Sequence, residues 1–302
     1  MIPSLRTRTF TALFVLLGSA ALSSGAVAQS NEQAEQRVLT SLPITHGLSS
    51  ALLKDTRIQV ERAAPAKLPG SRQPSYFSGR GSARMAELAT AADAVIGVRS
   101  LWPQDPLYPQ ARRSNIRVVE VDAAYPVDGV LPGVALRSSG ENGLDSQPWL
   151  ASSNLGRMAD IIAADLVRLA PSESEAIEAN LAEIKQRLLK LTAANESRLI
   201  ELDNLSVVTL SDGFNYLIAG LNLDHIILSE GSSEDMRQLG EQLTRNDVAV
   251  VISDKAVTPE VQQAITASGA QLTVLDQESE DPIDDLAGKT DALISALERA
   301  GQ

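Results

Sequence analysis

The chain reads as an α/β protein: two (βα)4 lobes with parallel sheets, joined by one long bridging helix. Three observations lead there. Short β-branched runs occur in two sets of four, amphipathic segments of helical period lie between them, and one uninterrupted helical pattern separates the sets. Parallel strands need crossovers of a dozen or more residues, so strand and helix alternating at this spacing selects parallel pairing.

In chain order, Arg6 and Arg8 precede an apolar run over 10–22, and Ala26-Val27-Ala28 supplies small residues before Gln29. That pattern predicts a cleavable signal peptide over 1–28. An N-terminal lobe follows over 29–170, with strand signals RVLTS (37–41), RIQVE (57–61), AVIGV (94–98) and IRVVEV (116–121), and an amphipathic helix over 82–92. Residues 123–147, rich in Gly, Pro and Ser, form the main irregular stretch, expected to cross between lobes or line a cleft. The linking helix is placed at 171–203. Ser172 and Glu175 form a capping-box pattern after Pro171, and apolar residues recur at Ile177, Leu181, Ile184, Leu188, Leu191, Leu199 and Leu202. A helix over 173–202 would be about 45 Å long at 1.5 Å per residue, enough to span two lobes. Its stripe lasts barely four heptads without an e/g charge pattern, which argues against a coiled-coil arm. The C-terminal lobe, 204–302, carries VVTL (207–210), HIIL (225–228), VAVVI (248–252) and LTVL (272–275), with a helix over 259–268.

Composition narrows the function. The chain has no cysteine, which removes disulfides, thiolate metal sites, thiol nucleophiles and a lipid anchor at the cleavage site. The leader's apolar run is shorter than the roughly 20 residues of a membrane span, so a soluble periplasmic protein is expected. Without the two leader arginines, 24 basic residues face 38 acidic ones, a net charge near −14. Nucleic acid and anionic membranes are therefore poor partners, and a cationic solute is compatible. There is no Gly-x-Ser-x-Gly elbow, phosphate loop or metal-ligating His pair, so an enzyme is not expected.

Ligands of open parallel sheets sit beyond the carboxyl ends of the strands. The candidates there are His46, Tyr76 in loop 71–80, Arg99 with Trp102, and Gln147 with Trp149 in the first lobe. In the second they are Ser211, Asp212, Ser229, Glu230, Ser253, Asp254 and Asp276. Asp212 and Asp254 also read as helix N-caps and Glu230 as a solvated charge, while His225, at the far end of its strand, reads as structural. Arg72, Arg80, Arg84 and Arg99 near the same loops favour an anion unless they pair with surface acids, the expectation for Arg84.

Several stretches taken in order, VLTSLPITHGLSSAL, AELATAADAVIGV, DSQPWLASSNLGRMADIIAADLVRLAP and LSDGFNYLIAGLNL, resemble the zinc- and manganese-uptake group of ABC-importer solute-binding proteins. The resemblance spans nearly the whole mature chain. It implies two lobes on a rigid helix, limited hinge motion, a metal in the cleft, an inner-membrane ABC permease as partner, and no chemistry. A monomer is expected. Residue by residue, the family's ligand pattern is depleted. Its Asp-Pro-His-x-Trp-Leu appears as DSQPWL, with Gln147 in the histidine's place before Trp149; its Pro-His-x-Tyr-Glu appears as RQPSYF, with Pro74 there and Tyr76 kept. Its His-Asp pair appears as Ser211 and Asp212, and its final aspartate matches Asp276. Three imidazoles are missing. Zinc prefers nitrogen and sulfur donors, so this oxygen-only set suits instead a hard divalent cation as transported ligand, with an anionic or zwitterionic solute, or a scaffold kept for protein interaction, as alternatives.

Overall fold

A computed structural model describes residues 36–137, 143–228, 236–276 and 279–301. The proposed leader, Ser229 and Glu230 lie outside them. In the first lobe β1 (Arg37–Thr40), β2 (Gln59–Arg62), β3 (Ala94–Gly97) and β4 (Val119–Asp122) form a parallel sheet in the order β2-β1-β3-β4. Helices α1 (Pro43–Leu52), α2 (Gln73–Ser78), α3 (Ser82–Ala91) and α4 (Leu107–Ser114) lie between the strands. Two helices then run in succession, α5 (Ser152–Leu169) and α6 (Ser174–Leu199). The second lobe repeats the plan: β5 (Ser206–Thr209), α7 (Asn215–Gly220), β6 (Asp224–His225), α8 (Met236–Arg245), β7 (Val250–Ser253), α9 (Pro259–Ser268), β8 (Gln271–Val274) and α10 (Pro282–Ala300). Its sheet order is β6-β5-β7-β8, again all parallel.

The two-residue period of the strands decides where the core lies. Val38, Ala94 and Ile96 point to one face of the first sheet, while Leu39 and Val95 point to the other, onto Phe77, Met85, Leu88 and Leu107. The second sheet sorts the same way, Val207, Val250 and Ile252 inward, Val208 and Val251 outward onto Leu239, Leu243 and Ile265. The two inner faces share one continuous core with Leu155 and Ile162 of α5, Ile177, Ile184 and Leu188 of α6, and Leu293 of α10. The lobes are therefore packed on a common apolar spine.

Polar contacts tie α6 to both sides. Asn180 donates to the Leu52 and Lys54 carbonyls at 2.9 and 2.8 Å, and Arg57 pairs with Glu173 at 2.7 Å. Towards the second lobe, Arg187 reaches Asp281 and Asp284, and Arg198 reaches Glu298 and Asp291. At 26 residues the helix is about 39 Å long. It is shorter than the apolar stripe suggests because it ends at Leu199, with Ile200 as C-cap, before Leu202; at its start a 3-10 turn, Pro171–Glu173, takes up Ser172, so the capping box does not form and Glu173 is the N-cap without a side-chain bond. Helix α9 matches its expected span: Pro259 opens it, the Thr258 hydroxyl caps it by accepting from the Val261 N–H, and Gly269 closes it at φ 90°. The edge strand β6 is only two residues long, pairing with β5 alone, and Ile227 of the expected run is exposed.

Candidate functional site

The carboxyl ends of the two sheets share a cavity of about 610 Å³. From the first lobe it is lined by Leu42, Pro43 and Ile44 after β1, by residues 66–70 after β2, and by Leu144, Asp145, Gln147 and Trp149 from the stretch after β4. Ser211, Asp212, Gly213 and Phe214 after β5, Asp254 after β7, and Ser279, Pro282, Asp285 and Lys289 around the start of α10 complete it. A hollow at facing strand ends is where loops, freed from ladder bonding, can turn side chains towards a ligand.

Gln147 sets the course of the polar loop that carries Trp149. It sits between two 3-10 turns, Leu144–Ser146 and Pro148–Leu150, at φ 45° and ψ 60°, a left-handed conformation that costs a side-chain-bearing residue energy. Two backbone bonds hold it there: its N–H donates to the Leu144 carbonyl at 3.3 Å and its carbonyl accepts from the Leu150 N–H at 3.0 Å. Asn154, buried on α5, braces the same loop. Its amide donates to the Pro148 and Ala135 carbonyls and its oxygen accepts from the Ala135 N–H, at 3.1, 3.0 and 2.9 Å. Across the cavity Thr209 fixes Ser211: the Ser211 N–H donates to Thr209 Oγ1 at 3.1 Å, and that hydroxyl donates to the Ser211 carbonyl at 2.5 Å. The Ser211 hydroxyl is itself buried without a hydrogen-bond partner.

Of the sequence candidates, the structure gathers Gln147, Trp149, Ser211, Asp212 and Asp254 on one cavity wall or another. Asp212 lies in the first turn of a 3-10 helix whose N-cap is Ser211, and the cap of α9 is Thr258, so neither Asp212 nor Asp254 serves as a helix N-cap. Six candidates lie elsewhere among the described residues: Arg99, Trp102 and Ser253, and with them Tyr76, Asp276 and His46. Tyr76 packs edge-on to Phe77 at 5.4 Å, lies against Gly81, and carries Arg80 over its ring. Asp276 is exposed two residues beyond β8 and is not among the lining residues. His46 is half-buried on α1, its Nδ1 3.0 Å from the Thr40 hydroxyl. Burial first, then the Arg62 guanidinium, hold it below the usual histidine range, against the opposite pull of Glu280.

The arginines that favoured an anion do not line the cavity. Arg84 pairs with Glu61 and Glu87, Arg99 with Glu120, and Arg80 covers Tyr76. Sequence reasoning missed Lys67, Asp285 and Lys289. The last two lie one turn apart on the buried face of α10 and form an ion pair of 2.5 Å, with the Lys289 side chain only 8% exposed. Their i, i+4 spacing on an amphipathic helix is legible in the sequence but lies away from any strand end. Among the described residues no three of His, Asp and Glu converge as a metal cage would require.

Residues 82–300 match the family described as ZnuA, zinc-uptake complex component A, periplasmic. No curated protein sequence matches the chain. Solved structures do: ZnuA, at 20% identity and TM-score 0.64, over 87% of this chain and 99% of that one. A mutant, metal-free periplasmic metal binding protein of Candidatus Liberibacter asiaticus follows at 17% and 0.65, over 87% and 99%. FpvC of Pseudomonas aeruginosa in complex with Mn²⁺ matches at 19% and 0.64, over 88% and 100%. At these identities the likeness shows a shared fold.

Proposed function

The chain belongs to the ZnuA family of periplasmic zinc-uptake components, and from that membership we propose that it captures a small cationic solute between its lobes and hands it to an inner-membrane ABC permease. Members of the family are binding components of metal-uptake importers and not enzymes. Export by a leader over 1–28 and action as a monomer are part of this reading. The cavity at the facing strand ends carries it, because its lining holds Asp145, Asp212, Asp254 and Asp285 against Lys67 and Lys289, an excess of negative charge. The cargo is not a histidine-held transition ion, since no histidine lines the cavity. The lining carboxylates and the Gln147 side-chain carbonyl are hard oxygen donors, which makes a hard divalent cation such as Mn²⁺ the second reading.

The test is the content of the protein as it leaves the periplasm. Untagged protein, purified without chelator, is denatured and the released material measured by elemental analysis and mass spectrometry. A cationic solute near one per chain, and stimulation of the permease ATPase by the loaded protein, are expected. An empty protein that leaves the permease unstimulated refutes the reading, whereas stoichiometric zinc refutes the exclusion of a transition ion and leaves the receptor standing.

A further inference from the structure

Within the cavity, Asp145, Asp212 and Asp254 form no ion pair with a described residue, whereas Asp285 is neutralised by Lys289 and also accepts from the Ser279 N–H at 3.1 Å. Setting Lys67 against the three free carboxylates leaves the lining with a net charge near −2 at neutral pH. Two features distinguish this negative hollow from an ion cage. A bare divalent ion needs about six oxygens drawn in to 2.0–2.6 Å, yet among the described residues no such convergence of acids exists. The space of about 610 Å³ instead falls in the range of clefts that enclose organic ligands, about 300–1,000 Å³.

The walls point the same way. Leu42, Ile44, Leu144, Phe214 and Pro282 give apolar surface, and Trp149 presents a partly exposed indole whose face attracts cations. On the same lining the Gln147 side chain offers a neutral oxygen to an N–H donor, and the Ser211 hydroxyl is buried without a partner. A metal ion would leave the apolar walls without function, and an organic anion would meet three unpaired carboxylates.

We propose that the cleft binds an organic ammonium solute, a primary amine on an aliphatic body, with its charge taken by Asp212 and Asp254 and its methylenes by the Trp149 wall. This rests on the receptor reading above and names its cargo by class. Mature protein, stripped of solute by unfolding and refolding, is titrated by calorimetry and tryptophan emission with putrescine, L-lysine, L-glutamate, Mn²⁺ and Zn²⁺. One-to-one binding of putrescine or L-lysine is expected, weakened at least about tenfold in the Asp212→Asn/Asp254→Asn double variant with an unchanged melting temperature. L-Glutamate should give no signal. Binding of Mn²⁺ or Zn²⁺ alone overturns the amine and leaves the receptor standing. So does amine affinity untouched by the double variant, and binding of L-glutamate overturns it equally. Silence with all five probes also overturns it, while the receptor is then judged by what the periplasmic protein carries.

Discussion

Gly47, on the buried side of α1, offers the sharpest test of how the lobes meet. A Cβ built there would lie 2.4 Å from the Glu280 carbonyl oxygen and 2.7 and 2.8 Å from Cδ and Cγ of Pro282, at the start of α10 in the other lobe. Backbone and a proline ring cannot swing aside as a flexible side chain can, so about 1 Å of separation must come from moving one helix against the other. Overpacking of this kind costs about 1–3 kcal/mol, whereas replacing a mid-helix glycine with alanine gains about 1 kcal/mol. Gly47→Ala should therefore be destabilising by up to about 2 kcal/mol in urea unfolding. Gly288→Ala, on an exposed face of α10 with nothing within 4 Å of its would-be Cβ, isolates the propensity gain and should stabilise by about 0.5–1 kcal/mol. If both variants stabilise alike, α1 and α10 do not touch as described and the closed lobe contact is refuted.

Other residues yield independent outcomes. Gln147→Gly removes about 1–2 kcal/mol of left-handed strain and adds about 0.4–1 kcal/mol of unfolded-chain freedom, so a rise in urea midpoint equivalent to about 0.5 kcal/mol is expected together with weaker solute binding. A fall in stability would show that the loop does not hold that conformation. Asn154→Ala strips three hydrogen bonds from a buried side chain and should cost about 2–3 kcal/mol while shifting Trp149 emission, since Pro148 loses its brace. An unchanged spectrum would separate Asn154 from the cleft. His46 binds its proton less readily when folded, so the unfolded state takes up more protons as pH drops below about 6.5, and stability present above that value is lost as pH falls through the folded value. His46→Gln, which keeps a polar partner for Thr40 beside Arg62 and Glu280, should flatten that part of the pH–stability curve; an identical slope in the variant refutes it.

The architecture could be read from the residues because its signals are local. Valine and isoleucine at two-residue spacing declare a strand whatever they later pair with, and Thr258, Pro259 and Gly269 mark both ends of α9 through bonds that span only a few residues. The sequence alone was thus sufficient for two parallel sheets, a bridging helix, and the mismatch between DSQPWL and a histidine-bearing loop. Tertiary structure alone decided which side chains meet. Asp276 and Asp254 both follow strands, yet Asp254 lines the cavity and Asp276 does not, because loop direction depends on packing rather than spacing. Asp285 and Lys289 line the cleft from α10, whose start packs closely on Gly47 of α1, a contact between residues more than 230 positions apart along the chain. Pairings at such separation leave no periodic trace, since the chain's local conformational preferences act over a few residues and burial acts over the whole fold.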